Sequence, residues 1–334
     1  MSMNHAIRRW AGALLGLALA ATATLTTAAR PIFVLNSQDA DVSIIDSTSF
    51  KTLQRLPTGK EPHHLYLAPD EKTLIVANAT SNSLTFIDPA SGAVQRTVND
   101  IVDPYHLRFS PDMQWFVTAA NRLNHVDIYR WQGAAHAQPF KLVKRVEAPK
   151  TPSHLAIDSK SAVLYVSLQD SDELLAIDLA TQAPRWKIKV GKVPADIFLT
   201  ADDRILLVAT MGDRFVEAYD VSGAQPRLVK RIETGNGAHA FRARGDKRHV
   251  FVSNRVANTI SLIDAVALAV VAQYPAPGGP DCMEMLNDNR TLLVTSRWAR
   301  KLTFIDIEKK QVVRQVDVGR SPHGVWTLDH APRQ

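Results

Sequence analysis

One pattern returns from end to end of this chain and constrains what it can fold into: a turn closing in proline followed by a short strand, then an apolar strand, then an alternating strand ending in aspartate. It is clearest in Gly59–Asp88, GKEPHHLYLAPDEKTLIVANATSNSLTFID, whose beats run from Pro62 to Ala68, then to Asn78, then to Asp88, with a weaker fourth strand over Ala93–Val98. The third beat, VSIID, LTFID, VDIYR, LLAID, VEAYD, ISLID and LTFID, ends at Asp46, Asp88, Arg130, Asp178, Asp220, Asp264 and Asp306. Subtracting successive endpoints gives spacings of 42, 42, 48, 42, 44 and 42. That is the period of a four-stranded propeller blade rather than of a helical or leucine-rich repeat, and the alternation suits sheets buried between neighbouring blades. The first beat starts near Pro62, Pro104, Pro152, Pro194, Ala238, Pro280 and Pro322, and no second or third beat follows its last copy. Ile32–Asn36 is a second-beat strand with no first beat before it. The sequence therefore predicts an all-β, seven-bladed β-propeller whose last blade is closed by both termini, leaving only short protected edges.

The strands FVLN, IVAN and FVSN, each followed ten residues later by the last Asp of SIID, TFID or SLID, resemble the YVTN-type β-propeller repeats of bacterial cell-envelope proteins. The resemblance spans Pro31 to about Leu328. It implies the propeller fold and, among functions, relatives that include lactonase-like enzymes and the haem-carrying propeller of dissimilatory nitrite reductase. Fold by itself does not choose among these.

Residues 1–29 read as a secretory signal peptide: Arg8 and Arg9, then an apolar and small-residue run, then TTAA. The run is short and alanine-rich against the ~20 residues of a membrane span, so no stable span is expected and the protein is expected to be periplasmic or secreted. Residues 30–334 form one domain, because a closed ring needs all seven blades. The formal charge of +6 becomes +4 once the leader, with two arginines and no acid, is removed. That charge is spread over all blades without aromatic-basic interleaving, so nucleic acid is not expected as a partner. Cys282 is the only cysteine, so the chain has no internal disulfide. WQGAAHAQPF, in the long third interval, is expected to be an extended hairpin loop with a solvated His136. The aspartates that end the third beat are expected to shape turns by accepting backbone N–H bonds.

The opening of each first beat and the loop between second and third beats converge at one mouth of the central channel. Just inside the landmark residue the blades carry His64, His106, His154, Asp196, His239, Cys282 and Gly324, with His63 and His323 one place earlier. Four histidines in seven equivalent places are far more than 11 in 334 residues supply by chance. His64, His106, His154, His239, Cys282 and Asp196 are all donor types that ligate transition metals, and imidazole with thiolate suits copper, zinc or haem iron better than calcium. The mouth loops add Arg122, Arg214, Arg255, Arg297 and Arg300 with Asn78 and Asn254, and Arg108 lies on an inner strand. Guanidinium forks match carboxylate and phosphate, and Trp298, Trp326 and Tyr105 offer flat walls beside them.

These residues point to an exported propeller that binds a small anionic or metal-containing ligand at its channel mouth, without turnover. The cofactor is left open between a haem-like tetrapyrrole and a transition metal. Three alternatives stand beside this reading: a carrier of tetrapyrrole or copper in an envelope redox pathway, a lactonase-like hydrolase with a histidine base and an arginine oxyanion stabiliser, and a scaffold for an envelope protein partner. No nucleophile elbow, phosphate-cradling glycine loop or HExxH motif is present.

Overall fold

The structure is a computed structural model that describes residues 30–333; the predicted leader lies outside them. Its strands form seven four-stranded antiparallel sheets. Six are sequential, each running from the channel outward. The seventh is composite, ordered Pro322–Thr327, Pro31–Asn36, Asp41–Asp46, Thr52–Pro57, with Ile32 opposite Thr327 and Phe33 opposite Trp326.

Burial follows the alternation that the sequence carries. The two inner strands of the composite sheet are buried throughout, whereas its outermost strand is exposed at all but Leu56 and carries Gln54 and Arg55. The apolar rows meet between blades, as where Phe33, Leu35 and Trp326 pack on Leu65, Leu74 and Val76 of the next blade. The repeated aspartates turn the chain as expected. Asp46 accepts the N–H groups of Thr48 and Ser49 at 3.0 and 2.6 Å, and Asp264 those of Val266 and Ala267 at 2.9 and 3.1 Å. The long loop joins strands His125–Trp131 and Phe140–Glu147, with His136 exposed.

One irregularity sets up the channel. In every innermost strand the pairing register shifts just after the first residue: Pro62 faces Asn78 and Leu65 faces Val76, so three steps on one strand match two on the other. The same shift occurs after Pro104, Pro152, Pro194, Ala238, Pro280 and near Pro322. Such a bulge re-aims side chains. Here it sends two consecutive residues of each blade toward the axis, where a regular strand sends one.

Candidate functional site: a histidine-lined channel

The bulges create two tiers. Nearer the loop face lie His63, Tyr105, Ser153, Ala195, His239, Asp281 and His323; one residue deeper lie His64, His106, His154, Asp196, Ala240, Cys282 and Gly324. This corrects the sequence register at one blade. Ala238 holds the landmark position, so His239 belongs with His63 and His323, and its counterpart in the deeper tier is Ala240.

Asp281, fully buried, organises the upper tier. Its Oδ1 lies 2.8 Å from Arg255 Nη2 and its Oδ2 lies 3.1 Å from Arg297 Nη1. Arg255 also donates to His239 Nε2 at 2.7 Å, which leaves the His239 proton on Nδ1, 3.0 Å from Asp281 Oδ1. Burial alone pushes a carboxyl up; Arg255, His323 and His239 outweigh it and hold Asp281 well below the usual carboxylate range. Around this knot His63 lies between Tyr105 and His323, with ring centroids 3.9 and 3.6 Å away. His63 and His323 are 3% and 0% exposed. The loop-side mouth is therefore closed by a paired ionic cap.

The deeper tier holds His64, His106 and His154, from three consecutive blades, with one donor atom of each within 4.8 Å of the others. Their ring centroids are 4.4 Å (His64 to His106), 4.9 Å (His106 to His154) and 5.1 Å (His64 to His154) apart. Two of them are anchored from behind, His64 through Nδ1 to the Tyr105 carbonyl at 2.7 Å and His154 through Nδ1 to Ser153 Oγ at 2.9 Å. His154 Nε2 and His106 Nδ1 are buried without a partner. Burial, followed by the charges of neighbouring histidines and Arg108, lowers the basicity of all three well below that of a free imidazole. They are neutral at pH 7, the form that ligates metal.

The other two donors of this tier do not join them. Asp196 uses both oxygens on backbone N–H groups, Oδ1 from Ile197 at 2.9 Å and Oδ2 from Phe241 at 2.8 Å. Cys282 Sγ sits 3.5 Å from His323 Nδ1, and burial beside Asp281 and Asp196 pushes its thiol well up. Desolvation also lifts Asp196 to about 6. A carboxyl whose folded pKa exceeds its unfolded value binds more protons when folded, so its contribution to stability falls as pH rises from about 4 to about 6, by roughly 2–3 kcal/mol. Asp196→Asn is expected to remove that fall. Denaturant titrations of both proteins at pH 4 and pH 7 test this, and parallel curves refute it.

The remaining sequence candidates disperse. Asn78 and Asn254 are fully buried and staple their own blades, donating to Ser83 and Thr85 and to Thr259 and Ser261, so they do not face the mouth. Arg122 is held by Glu61 and Asp103 at 2.6 and 2.5 Å, Arg214 reaches Glu233 at 3.4 Å, and Arg300 is exposed on its turn. Trp326 is buried between blades and walls no mouth. Sequence reasoning missed Asp281. Its signal was its place next to Cys282, hidden by reading one channel-facing residue per blade.

Seven four-stranded blades around a channel lined by buried histidines define a seven-bladed β-propeller. The family can be stated more closely. The chain belongs to the YNCE-like beta-propeller family, whose model matches residues 5–333. Among solved structures it is similar to the Pseudomonas aeruginosa periplasmic gluconolactonase PpgL, at 19% identity and TM-score 0.75, covering 89% of this chain and 98% of that one. It is also similar to dihydro-heme d1 dehydrogenase NirN in complex with DHE, at 16% identity and TM-score 0.66, covering 89% and 74%. A functionally unknown protein from Desulfotomaculum acetoxidans matches at 15% identity and TM-score 0.75, covering 89% and 98%. At these identities the likeness is one of fold. Comparison with curated proteins finds no match.

Proposed function

We propose that this protein is an exported metal-binding propeller that holds one copper or zinc ion on His64, His106 and His154. The observation that carries the reading is the convergence of three buried imidazoles, with one donor atom of each within 4.8 Å of the others and with His106 Nδ1 and His154 Nε2 buried without a partner. Leaving a buried polar atom unmet costs about 1–3 kcal/mol, and a metal ion meets several such atoms at once. The anchoring of His64 and His154 through Nδ1 is the arrangement that fixes tautomer and ring direction in metal-ligating histidines. The upper-tier group of His239, Asp281 and His323 suits a cation less well, because Arg255 and Arg297 already neutralise Asp281.

A haem-like tetrapyrrole does not fit these residues. The cavity beneath the trio is about 90 Å³, far smaller than the macrocycle. The larger cleft on the loop face, about 590 Å³ between Ser37, Lys60, Glu61 and Arg297, has no histidine among its walls to serve as axial ligand. A lactonase-like mechanism gains no support from Arg255 and Arg297, whose guanidinium groups are committed to Asp281.

Metal-free protein titrated with Zn²⁺ and with Cu⁺ against a competing chelator is expected to take up one ion per chain. Ser153→Ala should weaken binding about 10- to 100-fold, the usual effect of losing a partner behind a metal ligand, and His106→Ala with His154→Ala should abolish it. Absence of uptake, or uptake indifferent to the double substitution, sinks the assignment.

A further inference from the structure

The end of the channel opposite the arginine loops holds an arrangement that the metal site does not use. Below the histidine trio the innermost strands present Arg108, Arg242 and Glu284, and the C-terminal segment crosses this face. Arg242 donates to the carbonyls of Ala331 and Pro332 at 2.7 and 3.0 Å and to Glu284 Oε1 at 2.5 Å, while Arg333 pairs with Glu284 Oε2. Glu284 is thus shared by two arginines, and both of its oxygens are occupied.

Arg108 is left over. Among the described residues it makes no ion pair, and its only side-chain hydrogen bond is a 3.3 Å donation to the carbonyl of its neighbour Leu107. Its guanidinium lies 5.6 Å over the Tyr66 ring. Asp196 lines the same cavity, but its oxygens are taken by backbone N–H groups.

Arg108 stands where two spaces meet. One is the cavity of about 90 Å³ under the histidines. The other, about 220 Å³, is walled by Tyr66, Phe109, Leu155, Phe198 and Leu199, and Arg333 reaches both. A guanidinium at the seam between a polar space and an aromatic one selects an anionic head on an apolar body. The volume falls below the ~300 Å³ at which drug-sized pockets begin, so the body is small. We propose that this lower mouth binds an aromatic monocarboxylate of the size of benzoate, its carboxylate on Arg108 and its ring against Tyr66, Phe109 and Phe198. The site stands apart from the metal reading, since neither Arg108 nor the apolar walls ligate metal.

Calorimetric titration of the metal-free protein with benzoate, and with benzyl alcohol as its uncharged counterpart, tests the site. Benzoate is expected to bind at least about tenfold more tightly than benzyl alcohol. Arg108→Met should weaken benzoate about 10- to 100-fold, the range of a charged hydrogen bond, with partial recovery in Arg108→Lys. The titration involves no metal, so its outcome is separate from failure of the metal site. No benzoate binding at millimolar concentration, equal affinity for the two probes, or an unaffected Arg108→Met overturns the proposal. The comparison of benzoate with benzyl alcohol needs no substitution, so it holds even if an Arg108 variant fails to fold.

Discussion

Deletion of Ser321–Gln334 is expected to abolish cooperative folding of the whole propeller. Strand Pro322–Thr327 is buried over its full length, and its Trp326 is among the largest fully buried side chains. It pairs with Pro31–Asn36 and packs against the first and last sequential blades. Its loss leaves the partner strand with a long apolar edge, which sheets do not tolerate. It also opens the ring, so every blade interface loses the restraint that closure supplies. The segment beyond it contributes too, through the pairing of Leu286 with His330 and the bonds from Arg242. Trp326→Ala should give a graded version of the defect, about 3–5 kcal/mol for a large aromatic removed from a core. Melting followed by circular dichroism, with limited proteolysis, reads both. A truncated chain with a single sharp transition at the parental temperature would show that the termini do not lock the ring.

The fold was legible because each blade repeats its landmarks. Proline opens the inner strand, Asn36, Asn78 and Asn254 close second-beat strands, and aspartates close third-beat strands. The residues around the channel were legible only in part, for two physical reasons. Strand periodicity assumes that one side chain in two faces a given side, and the bulge after each landmark breaks that rule where the channel is lined. His64, His106 and His154 still fell into register because Pro62, Pro104 and Pro152 mark their blades alike. His239 did not, because alanine replaces proline there, and Asp281 was passed over as the neighbour of Cys282. The second reason is that an arginine's availability depends on partners the sequence does not place beside it. Loop position located Arg255 and Arg297 at the mouth, but the aspartate that holds them comes from another strand. Conversely, Arg108 is distinguished from Arg242 by Glu284 and by the carbonyls of Ala331 and Pro332, all of them far from Arg242 in the chain.

Asp281→Asn is expected to destabilise the protein by about 3–5 kcal/mol, the usual result of removing one partner from a buried ionic cluster. The carboxylate is wholly buried, and the two guanidinium groups that it faces are only 16% and 27% exposed. Neutralising it leaves two enclosed positive charges beside His63, His239 and His323, and burial already opposes protonation of all three. The sign of the pH dependence follows. A carboxyl held below its unfolded pKa contributes stability above about pH 4 and loses it as pH falls through the folded value, so the parent should weaken in acid along a limb that the variant lacks. The variant's deficit should therefore be largest near neutrality and shrink below pH 4. Adding Arg255→Met and Arg297→Met to Asp281→Asn should recover much of the loss, because removing both guanidinium groups as well leaves no unpaired charge. Guanidinium titrations of the parent, the single variant and the triple variant at pH 7 and pH 3 separate the cases. If the single variant matches the parent at pH 7, Asp281 does not hold the arginines as an ion, and the loop-side mouth is not closed by charge.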